Sequence, residues 1–415
     1  MAKIHRRPQA GYGSKLIDMI KSPPDAPEGA IVAWPEDVLH ETDSSGPVVG
    51  YVMRRVGGYS VSAYYIPKNR VKYAPWFDYE LLLTAAKNIA NAVQAVHDQG
   101  YVIGDINESN ILVYDDDASS ALISADSFYV VGDSYTGLVR RPEYTPHEMQ
   151  GEGVQATADA DQDLFGLAVI VYKLLMEGVH PFAGVYTGEG EPPPLEDRIA
   201  AGYFPHSGNR IPYAPPRGSP EWSALPIELR DLFVRCFEDG YYQPEKRPAA
   251  REWADAIEKV IDYLTTCPLN SQHRYFNHLS QCLWCERDAQ LLLGISLFPA
   301  VPSGGWGQPP SPPLPTGFSW RQDDLYEPGP ISDEDCDDGD KGSGAARDYG
   351  KFLKYGGIPI LVILALVAGA IVFSRNIGGD GPTQNPPMAV LPPTNVPEPL
   401  LPFAGTIPTM TPTAT

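Results

Sequence analysis

Residues 356–373 read GGIPILVILALVAGAIVF, eighteen consecutive positions without a charge or a strongly polar side chain. At about 1.5 Å rise per residue this run makes roughly 27 Å of helix, enough to cross the hydrocarbon core of a bilayer. A helix that is apolar all round needs lipid or a protein interior about it, and its neighbours offer no interior. Residues 298–346 and 377–415 hold nineteen of the 43 prolines and show no hydrophobic periodicity. They read as a Pro-rich acidic linker and a Pro/Thr-rich extended tail. A single transmembrane helix at about 356–374, inside a juxtamembrane segment 347–376, is therefore predicted. Arg347, Lys351 and Lys354 precede the run and only Arg375 follows, which predicts a cell-membrane protein with its N-terminal side cytoplasmic and its tail outside. The acidic run from Asp333 to Asp340 in the linker reads as a solvated spacer.

The first 297 residues remain as the folded part. The chain carries 31 Lys+Arg against 52 Asp+Glu, a formal charge of −21, which argues against a broad electrostatic hold on nucleic acid. The N-terminus is basic but has no apolar stretch behind it, so no signal peptide is expected. Apolar positions at Leu82, Ala86, Ile89, Val93 and Val96 form a helical stripe within 77–99, ended by Gly100. Short strands are expected at 101–103, 111–114 and 121–124. Residues 163–176, DLFGLAVIVYKLLM, read as a buried helix, and 253–264 as an amphipathic one.

Between the 77–99 stripe and the strand pair lies Gly104-Asp105-Ile106-Asn107-Glu108-Ser109-Asn110, with Asp126 just beyond. A carboxylate and a carboxamide five residues apart, followed by a second carboxylate, form the set that phosphoryl transfer uses. One accepts the hydroxyl proton, and the others hold Mg²⁺ on the phosphates.

With these flanks, Lys3 to about Leu264 resembles the eukaryotic-like protein kinase fold of bacteria. Glu148 in Thr145-Pro146-His147-Glu148 sits where kinases have the Glu of the A-P-E motif, and Arg247-Pro248 resembles its Arg partner. Asp161, five residues before Gly166, matches the helix Asp that braces the catalytic loop. More narrowly, AWPEDVL, GYVMRRVGGY, VIGDINESNIL, ADSF and the Cys/His tail resemble a bacterial group of helix-hairpin-helix proteins with a protein kinase domain. The hairpin itself is not visible, and no nucleic-acid partner is expected.

The resemblance implies an α+β, protein-kinase-like bilobal domain over 1–265 that takes ATP and Mg²⁺. It gives Asp105 the role of catalytic base and places Asn107 beside it. Asn110 and Asp126 become Mg²⁺ ligands, and Lys3 becomes the residue that holds the phosphates. Three departures stand out. Only two residues precede Lys3 in this sequence, so either the start lies upstream, with the Gly-rich phosphate loop, or the N-lobe is incomplete and nucleotide binding is weakened; Gly11-Tyr12-Gly13 reads as a linker turn. Ser124 stands at the expected metal carboxylate, with Asp126 two residues later, and either is open as the metal position. The usual His-Arg before the catalytic Asp is Ile103-Gly104 and the usual Lys after it is Asn107, which predicts no control by loop phosphorylation. No acidic partner for Lys3 is identifiable over 15–20. His97 and His180 read as packing or capping residues.

Residues 266–297 contain Cys267, His273, Cys282 and Cys285. The C-x-x-C offers two thiolates on one knuckle, and Cys267 with His273 completes a tetrahedron, the donor set of a structural Zn²⁺. His278 competes as a ligand. Cys236 reads as a core thiol and Cys336 as a lone thiol in the linker.

Three functions follow: a membrane-anchored ATP-dependent Ser/Thr protein kinase acting on an unknown protein substrate, a catalytically inactive pseudokinase scaffold, or a small-molecule phosphotransferase suggested by Gly104-Asp105.

Overall fold

A computed structural model describes residues 1–5, 11–132, 134–135, 141–150, 156–157, 159–291, 296–302 and 304–305. All of these fall in one compact unit, Met1–Pro328. Among the described residues no helix is long and apolar enough to cross a membrane. The run at 356–373, Cys336 and the tail lie outside the described residues.

The N-terminal part is a three-stranded antiparallel sheet. Its central strand, Val48–Met53, pairs on one side with Ala2–Ile4 and on the other with Pro35–His40. Lys3 lies opposite Tyr51 in this ladder, and side chains at opposed positions share a face. His5 follows at the two-residue strand period and continues the pairing through its N–H to the Val49 carbonyl at 2.7 Å. Gly50 is needed where it stands, because a Cβ there would lie 2.2 Å from the Lys3 carbonyl oxygen. Helix Tyr12–Lys21 covers the sheet with Leu16 and Met19 buried.

A second sheet runs in the order Ala30–Val32, Ser120–Leu122, Ile111–Val113, Tyr59–Ser60, with its first pair parallel and the rest antiparallel. Beneath it lies helix Tyr79–Asp98, capped by the Asp78 side chain, which accepts from the Leu81 N–H at 3.0 Å. Leu82, Ala86, Ile89, Val93 and Val96 are all buried on that helix, as the stripe predicts. Helix Ala160–Leu175 is buried along nearly its whole length at the centre of the larger part. Helix Ala250–Ile261 packs across Tyr79–Asp98.

The Cys/His segment is built onto this core. A ribbon of Leu264–Thr266 with Arg274–Phe276 leads to helix Leu283–Leu291. Trp284, 1 % exposed, sits between the rings of Tyr79 and Phe298 at 4.8 and 4.7 Å. Phe298 differs from its compositional reading as the start of a solvated linker, because it is buried and lies 4.2 Å from the guanidinium of the buried Arg70. An aromatic side chain outweighs its Pro/Gly neighbours when a hydrophobic slot is within reach.

Candidate active site and metal knuckle

The loop 103–110 joins the short strand Tyr101–Val102 to Ile111–Val113. Its entry is fixed by Asp163, whose carboxylate accepts the N–H groups of Ile103 and Gly104 at 2.7 and 2.8 Å and contacts His97 Nε2 at 2.9 Å. Asp163, not Asp161, is therefore the brace. Asp161 lies two residues nearer the helix start, and its carbonyl accepts from Arg247 at 3.0 Å. Gly104 adopts φ +77°, and a Cβ there would meet the Tyr129 ring at 2.9 Å, so glycine is required at this position.

Asp105 is held from within the loop. Its Oδ1 accepts from Asn107 Nδ2 at 2.8 Å and its Oδ2 from Asn110 Nδ2 at 3.1 Å. Asn107, 2 % exposed, accepts the Ser109 N–H at 2.8 Å through its Oδ1. It thus acts as a turn-forming bracket on Asp105. The Asn110 carbonyl accepts the Ile123 N–H at 3.0 Å, tying the loop to the end of strand Ser120–Leu122.

Beyond that strand Ser124 takes a left-handed conformation, φ +65°, and starts the tight turn Ala125–Ser127. The turn carries Asp126 inward to 7 % exposure. Its Oδ1 accepts from Lys3 Nζ at 2.7 Å and Tyr51 OH at 2.8 Å, and its Oδ2 lies 2.8 Å from His5 Nε2. Of the two positions open in the sequence, Asp126 is the one brought to Lys3. Burial alone pushes its carboxyl up, but Lys3, Tyr51 and His5 outweigh this and hold it below the ordinary carboxylate range. The same burial and the neighbouring carboxylate push the Tyr51 phenol upward. A depressed folded pKa means that Asp126 contributes its full stabilisation above about pH 4 and loses it as pH falls through the lower folded value. Asp126→Asn is expected to flatten this part of the acid limb of a pH–stability curve read by urea melts; an unchanged acid limb would contradict the pairing.

The segment 141–150 closes the other side of the loop. Arg141 donates to Glu108 Oε1 at 2.6 Å and to Ser109 Oγ at 2.5 Å. Tyr144 donates to Glu108 Oε2 and receives a bond from Lys173 Nζ at 2.6 Å. Sequence reasoning missed this network, whose members lie 29 to 36 residues apart. Glu148 and Arg247 form the expected pair, bidentate at 2.7 and 3.0 Å, with Arg247 4 % exposed. Gly104, Asp105, Tyr144, Thr145, Pro146 and Met149 line a cleft beside the Asp105 carboxylate. His97 contacts Asp163. Burial pushes His180 down to about 3, and its Nε2 lies 2.8 Å from the Glu143 carbonyl.

Cys267, His273, Cys282 and Cys285 bring their ligand atoms within 4.8 Å of one another. The Sγ atoms of Cys267 and Cys285 are 3.6 Å apart, and His273 Nδ1 lies 3.6 and 3.4 Å from those of Cys282 and Cys285. Tetrahedral bonds of about 2.3 Å to sulfur and 2.0 Å to nitrogen require edges of about 3.5–3.8 Å. The donor set thus fits Zn²⁺ in kind, and these three edges come close to the required size. His273 Nε2 faces Ser296 Oγ at 3.1 Å and Asp288 Oδ2 at 3.5 Å, the outer contacts that orient a ligating imidazole. His278 is directed elsewhere, to the Ser223 carbonyl at 3.2 Å. Cys236 is buried in the core, as expected.

No protein-family model matches the chain. Over 299 residues it is 30% identical to Protein kinase YegI of Escherichia coli O157:H7, and equally to Protein kinase YegI of strain K12. The alignments cover 70% of this chain but 46% and 45% of those proteins, so the chain spans a little under half the length of the curated relatives it matches. The mixed α+β architecture, the loop braced by Asp163 and this similarity together support a bacterial protein-kinase-like fold for the described unit.

Proposed function

We propose that the chain is an ATP-dependent Ser/Thr protein kinase, transferring a phosphoryl group from Mg-ATP to a protein hydroxyl, and that 356–373 anchors it in the membrane. The carrying observation is the pair of preorganised carboxylates. Asp105 is fixed by two amides on a braced loop, and Asp126 is paired with Lys3.

In this reading Asp105 orients the acceptor hydroxyl in the cleft beside Thr145 and Pro146 and takes its proton as the new O–P bond to the γ-phosphoryl group forms and the bond to the departing ADP breaks. Lys3 binds the α- and β-phosphates. Asp126 has three of about four acceptor positions taken by Lys3, Tyr51 and His5, leaving one lone pair on Oδ2. Asn110 uses its amide nitrogen on Asp105, which leaves its oxygen. These two oxygens are of the kind that Mg²⁺ takes, and the ion would neutralise phosphate charge when bound. The motif strings quoted above support the narrower likeness to helix-hairpin-helix proteins with a kinase domain.

Incubating the full chain with Mg-[γ-³²P]ATP and a mixed protein acceptor is expected to label serine and threonine. Label confined to small molecules would favour the phosphotransferase, and none at all the scaffold. Deleting 356–373 is expected to release the protein from carbonate-washed membranes; retention would contradict the anchor.

The Cys/His knuckle is proposed to hold one structural Zn²⁺. Metal analysis of the purified protein is expected to give about one equivalent. Stripping it should free Trp284 and lower Tm by about 10 °C, since several kcal/mol correspond to 2–4 °C each in a domain of this size. Metal-free protein with an unchanged melt would remove the site.

A further inference from the structure

We propose that Lys173 is a positioning residue for the protein acceptor: it ties Tyr144, on one wall of the cleft, to the same helix that braces Asp105 on the other wall. The inference rests on the kinase reading above and deepens it, because none of the residues assigned to ATP or Mg²⁺ takes part.

The cleft beside Asp105 draws its walls from distant parts of the chain. Gly104, Asp105 and Ile106 come from the loop, and Tyr144, Thr145 and Pro146 from segment 141–150. Two irregular segments keep a fixed spacing best where one rigid element grips both. Helix Ala160–Leu175, buried along nearly its whole length, is that element. Near its start Asp163 accepts the N–H groups of Ile103 and Gly104. Near its end Lys173 Nζ donates to Tyr144 OH at 2.6 Å.

Lys173 is the one charged residue in the apolar run 164–175, and an ammonium taken partly out of water needs specific partners. It has them. Half-buried, it lies over the rings of Tyr65 and Tyr144 at 4.7 and 4.9 Å, and these cation–π contacts hold the Nζ in place. Glu108 and Glu143 favour its charged form, against burial and Arg141. Tyr144 passes its own proton to a hydrogen bond with Glu108 Oε2, and Arg141 completes the circuit by donating to Glu108 Oε1 and Ser109 Oγ. Among the described residues the cleft lining includes Tyr144 but not Lys173, so Lys173 acts through the Tyr144 hydroxyl. Removing the ammonium still leaves Glu108 paired with Arg141, so that carboxylate keeps a cation. Lys173→Met should therefore loosen Tyr144 while the fold persists.

Two measurements on the full chain test this. The first is steady-state phosphorylation of a mixed acceptor of casein, histone and myelin basic protein. Lys173→Met is expected to raise the acceptor KM about tenfold, the size of one charge-assisted hydrogen bond, with kcat lowered less than about threefold and the KM for Mg-ATP moved less than about twofold. Tyr144→Phe keeps the ring and removes the hydroxyl, so it should reproduce this split. The double variant should be no worse than the larger single change, because both break one chain of contacts. The second measurement is amide hydrogen exchange. The Tyr144 and Thr145 N–H groups, bonded to the Arg141 and Pro142 carbonyls, should exchange about tenfold faster in either variant. Those of Ile103 and Gly104, held by Asp163, should keep their wild-type rates. If Lys173→Met does not fold, Tyr144→Phe alone decides the matter. Labelling by wild type with the acceptor KM unmoved in the variants, with kcat and both KM values changed alike, or with exchange at Tyr144 and Thr145 unmoved, would overturn the inference and leave the kinase reading standing. Faster exchange in the variants with no labelling by wild type would overturn the kinase reading, and the acceptor role with it.

Discussion

Asp105→Asn is expected to lower the rate of acceptor phosphorylation by about 10²–10⁴, the range that a positioned general base supplies. The substitution keeps the shape of the side chain, and Oδ1 can still accept from Asn107, although the bond from Asn110 Nδ2 to Oδ2 is lost and Asn110 keeps its bond to the Asp105 carbonyl. The side chain, which lines the cleft with Thr145 and Pro146, no longer takes a proton. Because Asp105 is not part of the buried core, melting should change little, and nucleotide binding, which depends on Lys3 and Asp126, should persist. A matched loss of binding and stability would instead mark Asp105 as a turn residue.

Asp163→Ala is expected to have the largest effect on folding. Asp163 is 2 % exposed and accepts from two backbone N–H groups while contacting His97. Removing it leaves buried donors without partners, each costing about 1–3 kcal/mol, so a total of roughly 3–5 kcal/mol is expected from urea melts. Activity should fall further than stability, because the loop entry at Gly104 is then unfixed. Asp161→Ala, by contrast, should cost under about 1 kcal/mol, since among the described residues its hydrogen bonds run through its backbone, the carbonyl to Arg247 at 3.0 Å and the N–H to Asp159 Oδ1 at 3.2 Å. Equal effects of the two substitutions would contradict the brace.

Local pattern carried most of the fold and part of the site. Helix Tyr79–Asp98 was legible because its apolar stripe, its Asp78 cap and Gly100 agree with one another. The Asp105–Asn110 loop was legible because its spacing is fixed by one tight turn. The knuckle was legible because thiols and an imidazole at that spacing serve few purposes besides a metal. The brace was misplaced by two residues, although Asp163, the last of three closely spaced acids and the one that heads the apolar run LFGLAVIVYKLL, signals a buried carboxylate. The choice between Ser124 and Asp126 stayed open in the sequence because it depends on a left-handed turn at a non-glycine residue, which spacing does not encode. The Glu108, Arg141, Tyr144 and Lys173 network was invisible for a different reason: it joins three separate elements through side chains alone.

That network bears on control. Glu108 pairs with Arg141 and Tyr144 without any modification, which accords with the expectation that the loop is not controlled by phosphorylation. Residues 141–144 are thus tied to the loop by a built-in ion pair of modest strength, aided by the half-buried Lys173. Burial pushes that lysine's pKa down, while Glu108 raises it.

The most direct measurement is the single-turnover rate of Mg-ATP-dependent acceptor phosphorylation by the full chain as wild type, Asp105→Asn, Asp126→Asn and the double variant. Residues that act as one catalytic unit are not additive. Each single change should therefore cost about 10² or more, and the double little beyond the larger single. Equal rates in all four proteins would contradict a catalytic site built from Asp105 and Asp126.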